Sequence, residues 1–166
     1  AEGGAVVEVR LPIAAPVGVV QEVIPVAPPK REGAIQGRVL LVEEEEAVLE
    51  FERDVLTGAG ANVVTASRSE DVKTRLLSEP FDAVIMSGKM PGDWHAKEAY
   101  AWLKQHCTGM ENHTLFTFSN VEQSDERAFL QENKIPFLVK PFEVADLISQ
   151  ARRLLQKAQA AAASAS

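Results

Sequence analysis

Cysteine is almost missing from this chain of 166 residues: Cys107 stands alone, so no internal disulfide can staple the fold. A reduced thiol serving as a small hydrophobe on a helix is the expectation. No apolar run approaches the roughly 20 residues that a membrane-spanning helix needs. There is no stripe of Lys and Arg, and the net charge of -7 argues against a nucleic-acid surface. A glycine-rich phosphate loop, a dinucleotide fingerprint and a nucleophile-base-acid triad are missing too, which disfavours a small α/β enzyme. His95, His106 and His113 share no metal-ligand spacing with one another or with Cys107, and solvated or helix-lining roles are expected for them. The opening residues AEGG form neither an initiator methionine nor a basic signal region, so a piece cut from a longer chain is expected.

What is present is enough apolar content, 46%, to build the core of one ordinary domain. Residues 5–11 (AVVEVRL) alternate apolar and charged positions, the pattern of a half-buried strand. Residues 1–16 are therefore expected to be the remnant of a preceding domain. Residues 17–37 change to Pro, Ala, Val and Gly and are expected to form a linker, semi-extended where proline is dense. Val19, Val20, Val23 and Ile24 make it apolar enough to add to a sheet edge. A regular domain is expected over 38–158, followed by an Ala/Ser-rich tail at 159–166.

Within 38–158, strands and helices alternate. The run at 39–42 is continuously apolar, and the helix after it carries Val48, Phe51, Val55 and Ala59 at inward spacings before Gly58 and Gly60. Val63 and Val64 mark a second strand. Ser69 is a candidate N-cap for a helix with Val72, Leu76 and Leu77 inward. Residues 83–86 (AVIM), between Pro80 and the turn pair Pro91 and Gly92, read as a strand buried on both faces. A helix at about 94–107 is expected to bury Ala99, Trp102 and Leu103. A strand at 115–118 leads to a helix at 125–132. The last strand, 137–139, precedes a helix with Val144, Leu147, Ile148, Ala151, Leu154 and Leu155 on one face. Its alanine-rich end can stay helical by propensity but is expected to fray. Five strands and five helices in strict alternation predict an α/β fold, a doubly wound five-stranded parallel sheet with right-handed crossovers.

In such a sheet, ligands gather at the carboxyl ends of the strands. The residues brought there are Glu43 and Glu44, then Ser87 to Lys89, then Ser119 and Asn120, and finally Lys140 with Pro141. Two acids, a hydroxyl and a lysine suit a hard divalent cation and a phosphoryl group. Equally, the run from Glu43 to Glu46 can be four acids favouring a helix macrodipole.

These residues resemble a known family. From Arg38 to about Lys157 the chain is similar to the receiver domain of two-component response regulators and hybrid sensor histidine kinases. The resemblance rests on VLLVEEE at 39–45, FDAVIMSGKMPG at 81–92 and FLVKPF at 137–142. It implies a flavodoxin-like sheet of order 2-1-3-4-5 and a phosphorelay role, with magnesium assisting phosphoryl transfer onto an aspartate. Carried over residue by residue, the phosphoacceptor position falls on Ser87, the magnesium-holding acidic pair on Glu43 and Glu44, and the metal-binding main-chain carbonyl on Lys89. The Ser/Thr switch position falls on Ser119, the phosphate-contacting lysine on Lys140 and the aromatic switch on Phe137; the Lys140–Pro141 bond is implied to be cis. Trp94 and His95 follow Pro91-Gly92 where the family commonly carries an Asp-Gly pair.

A neutral serine hydroxyl needs a general base to become a nucleophile, whereas an aspartate is already ionised and also ligates metal. The expectation is a degenerate receiver with weakened Mg2+ binding and no nucleotide, not an enzyme, acting by contact. The alternatives are an active phosphoacceptor using Ser87 or a neighbouring acid, and an engineered Asp-to-Ser replacement in a normal receiver. Implied partners are a histidine kinase or phosphotransfer domain, output domains of the same parent chain, or a second copy in a homodimer, in a cytoplasmic setting without nucleic acid or membrane contact. Residues 3–12 also resemble the last strand of a histidine kinase ATP-binding domain.

Overall fold

The computed structural model describes residues 33–92, 94–119 and 125–165. The expected strand at 5–11, most of the expected linker, and Asn120 lie outside these residues. The elements run β1 (Arg38–Val42), α1 (Glu46–Gly58), β2 (Asn62–Ala66), α2 (Ser69–Ser78), β3 (Ala83–Ser87), α3 (Ala96–His106), a 3-10 turn (Met110–His113), β4 (Thr114–Phe118), α4 (Asp125–Glu132), β5 (Phe137–Val139) and α5 (Val144–Ser164). All strand pairs are parallel and the sheet order is β2-β1-β3-β4-β5, as expected.

Period-two alternation decides what each strand residue touches. Leu40 and Val42 of β1, Val84 and Met86 of β3, and Phe116 and Phe118 of β4 pack with Val72 of α2, Ala96 and Ala99 of α3 and Leu130 of α4. Their neighbours Val39, Leu41, Ala83, Ile85 and Leu115 face the other way, onto Leu56 of α1 and Leu147, Ala151, Leu154 and Leu155 of α5. The central strands are thus buried on both sides, which explains their uninterrupted apolar sequence. Each fully buried Leu or Ile contributes about 1.5–3 kcal/mol relative to an exposed one. At the amino edge, Arg38 N donates to Asp82 Oδ2 at 2.7 Å and Asp82 N donates to Arg38 O at 2.8 Å, tying β1 to β3. Gly60 turns the chain from α1 into β2 at φ +111, where a side chain would also collide with Ile35 O.

Several expected faces are shifted. Phe51 is 53% exposed and the acid beside it, Glu52, is buried with Leu56. The inward stripe of α1 therefore runs through Leu49, Glu52, Val55, Leu56 and on to Ala59, and the expected Val48 and Phe51 fall outside it. Leu77 and Val144 are exposed as well, Leu77 because Val72 and Leu76 already fill the face of α2 toward the sheet. Ser69 is the first helical residue of α2, not its cap. Helix α3 begins at Ala96, and Trp94 packs into the core ahead of it while Trp102 is only half-buried. The end of α5 is helical to Ser164, in keeping with alanine's propensity, and Gln159 Nε2 donates to Gln36 O at 3.0 Å.

Candidate functional site

Because the strands are parallel and in register, the residues following β1, β3, β4 and β5 meet at one edge. Glu43 leaves β1 with its N–H donated to Ala66 O at 3.2 Å, which turns the chain toward α1. Its carboxylate is buried and doubly engaged. Oε1 accepts the N–H groups of Glu44 at 3.0 Å and Glu45 at 3.2 Å, just ahead of α1. Oε2 accepts from Lys140 Nζ at 2.5 Å. Lys140 follows β5, is anchored by its N–H on Phe118 O at 2.7 Å, and precedes a cis bond to Pro141. The contact joins the residue after β5 to the residue after β1, two strands that are not neighbours in the sheet.

A third member was not foreseen from the sequence. Glu52 Oε1 lies 3.6 Å from Lys140 Nζ, too far for a hydrogen bond, and has no hydrogen-bond partner. Burial pushes its carboxyl above the usual range, the nearby Lys140 opposes that rise, and Glu43 adds to it. The signal was available: Glu52 stands three residues after Leu49 and four before Leu56, on the apolar stripe of α1, where an acid breaks the pattern.

Ser87 ends β3, half-buried, and its Oγ donates to Lys89 O at 3.2 Å. The loop beyond it is folded back: Gly88 N donates to Thr117 O at 2.8 Å, Ala96 N to Gly88 O at 3.0 Å, and Lys89 bridges antiparallel to His95. Gly88 lies flat against the Phe118 ring. Phe137 meets the same ring edge-on, with centroids 6.3 Å apart. Ser119 and the Glu44 and Lys89 side chains are exposed. The structure thus joins Glu43 to Lys140, and Ser87 to the Lys89 carbonyl, whereas Glu44 reaches Glu43 only through its own N–H.

Magnesium asks for near-octahedral oxygen ligation. Both Glu43 oxygens are committed, an ammonium sits against one of them, and the Lys89 carbonyl accepts from Ser87. Among the described residues, no group of three or more His, Cys, Asp or Glu is arranged to hold a metal ion. As arranged, these residues do not fit magnesium.

A family model for the response regulator receiver domain matches residues 39–152. The chain belongs to that family. As a receiver domain it is a module of two-component signal transduction, a class that works with histidine kinases, phosphotransfer proteins and output domains. Among curated proteins the receiver is similar to a transcriptional regulatory protein, GltR of Pseudomonas aeruginosa, 24% identical over 121 residues, covering 73% of this chain and 50% of that protein. The chain therefore spans about half the length of the curated relative it matches. Among solved structures it is similar to a CheY-like receiver from Methanospirillum hungatei, with TM-score 0.64 and 20% identity over 74% of this chain and 95% of that one. It is also similar to the receiver of a Pseudomonas aeruginosa sensor histidine kinase with a magnesium ion coordinated in its active-site cleft. The TM-score there is 0.62 and the identity 20%, over 73% of this chain and 98% of that one. At these identities the structures speak for the fold. Among the described residues no helix is long and apolar enough to cross a membrane.

Proposed function

We propose that this receiver is degenerate: Ser87 stands where receivers carry the phosphoacceptor aspartate, and the module signals by protein contact rather than by accepting a phosphoryl group. The observation that carries this reading is the pairing of Lys140 with Glu43, while Ser87 is turned onto the Lys89 carbonyl. A hydroxyl becomes a nucleophile when a base takes its proton. Ser87 instead donates its hydrogen bond to a carbonyl, and the Glu44 side chain, beside Glu43 in sequence, is exposed. Magnesium binding is weakened on the same grounds, and Ser119 and Phe137 keep the switch positions without a phosphoryl group to read.

The parent chain is a cytoplasmic hybrid sensor histidine kinase in this reading. Residues 1–16 are the end of its ATP-binding domain, 17–37 the linker, 38–158 the receiver and 159–166 a tail. The partners are the kinase or a phosphotransfer domain, output domains of that parent, or a second copy. The test is intact-mass analysis after incubation with acetyl phosphate and magnesium, with Ser87→Asp beside the natural chain. The expected result is a phosphoryl gain only in the variant. A phosphoryl gain by the natural chain would sink the degenerate reading, and fragmentation would then locate the acceptor.

A further inference from the structure

We infer that Glu52 is the counter-charge that replaces the acid missing at position 87, so that Ser87 and Glu52 form a compensating pair acting through Lys140; this rests on the reading of position 87 given above. Lys140 carries a positive charge into an edge where its side chain is mostly covered, 22% exposed. A covered ammonium needs negative charge close by. One carboxylate is supplied by Glu43 at 2.5 Å, and that group also accepts the N–H groups of Glu44 and Glu45. A second carboxyl faces the same ammonium: Glu52 Oε1 lies 3.6 Å from Lys140 Nζ, on the interior face of α1.

An isolated acid on that stripe costs stability, because it is buried among apolar neighbours with one oxygen unpartnered. Its presence is intelligible only through Lys140, the one cation in contact with it among the described residues. Glu52 thus draws Lys140 toward α1 and away from the end of β3. It is a positioning residue: it touches no ligand and acts by setting where the ammonium rests. The consequence is that an acid restored at position 87 has to compete with Glu52 for the same lysine.

The experiment compares initial rates of phosphoryl gain from acetyl phosphate and magnesium, read by intact mass, in Ser87→Asp, Ser87→Asp/Glu52→Gln and Ser87→Asp/Glu52→Val. In each, an oxygen of the introduced carboxylate attacks phosphorus, and acetate leaves with the electron pair of the broken P–O bond. Neutralising Glu52 is expected to raise the rate at least about tenfold, below the roughly hundred- to thousandfold worth of one fully preorganised electrostatic contact. The Gln variant keeps the shape of Glu52 and the Val variant suits its apolar surroundings, so a folding defect in one leaves the other to decide. Glu52→Gln alone, with Ser87 in place, is expected to gain no phosphoryl group. Equal rates in Ser87→Asp and both double variants would overturn the role of Glu52 and leave the reading of position 87 intact. No gain in any of the three would overturn both.

Discussion

Replacing Lys140 with methionine keeps the length and apolar stem of the side chain and removes the one charge that holds Glu43 and Glu52 together. At an effective dielectric of about 20, opposite charges 3.6 Å apart attract by roughly 4–5 kcal/mol before desolvation is counted. Breaking a buried ion pair by removing one partner typically costs about 3–5 kcal/mol. Two features hold the loss toward the lower end. Glu43 retains its two N–H donors, and Glu52, whose carboxyl is already raised by burial, can take up a proton instead of remaining charged. Lys140→Met is therefore expected to lose about 3 kcal/mol, a fall in Tm of roughly 10–15 °C for a domain of this size. Urea unfolding followed by tryptophan fluorescence measures it, since Trp94 is buried and edge-on to Trp102. Lys140→Met/Glu52→Val should recover most of the loss, because a buried charge is exchanged for apolar packing. A single variant within about 1 kcal/mol of the natural chain would refute the charge balance on which this rests.

Two further outcomes test the same edge and the opposite one. Gly88→Ala would put a methyl carbon inside the contact distance of the Phe118 ring, a rigid neighbour held by Phe116 and Phe137; a loss of about 1–3 kcal/mol in urea unfolding is expected, and a neutral substitution would mean the loop after β3 can move off the ring. The His113 imidazole, held below its usual pKa by burial first and by the nearby Lys157 second, with Glu111 and Asp82 opposing, binds its proton more weakly folded than unfolded. Its contribution is present above the unfolded pKa near 6.5 and is lost as pH falls toward the folded value. Stability should decline in that window and His113→Gln should flatten the slope; identical pH profiles would remove His113 as the cause.

The alternation of strands and helices was legible because strands buried on both faces must be continuously apolar, and residues 39–42 and 83–86 are. The residues at the sheet's carboxyl edge followed from that alternation, and the sheet order from the family resemblance. What misled was the phase of single helices. Phe51 and Leu77 are large and apolar, and counting them inward is natural when hydrophobicity alone sets the face. Glu52 was passed over for the matching reason: a charged residue is assigned to solvent unless a buried partner is known, and its partner, Lys140, lies 88 positions further along the chain and on another element. Sequence spacing shows which side of a helix a residue occupies, but not that a lysine from the end of β5 meets it.

The layers of the core separate the charges of this edge from the contacts that hold the fold. The apolar contacts that close the sheet run through Leu40, Val84 and Phe116 on one face and Leu41, Ile85 and Leu115 on the other, all below the level of Ser87. None of them depends on the charge at the end of β3. Glu43 is held independently of any ligand, because its carboxylate accepts the N–H groups of Glu44 and Glu45, just ahead of α1. Lys140 then needs an anion but not a particular one, and Glu52 supplies charge from a position that Ser87 does not control. An edge built this way holds Glu43, Glu52 and Lys140 together through contacts of the chain alone.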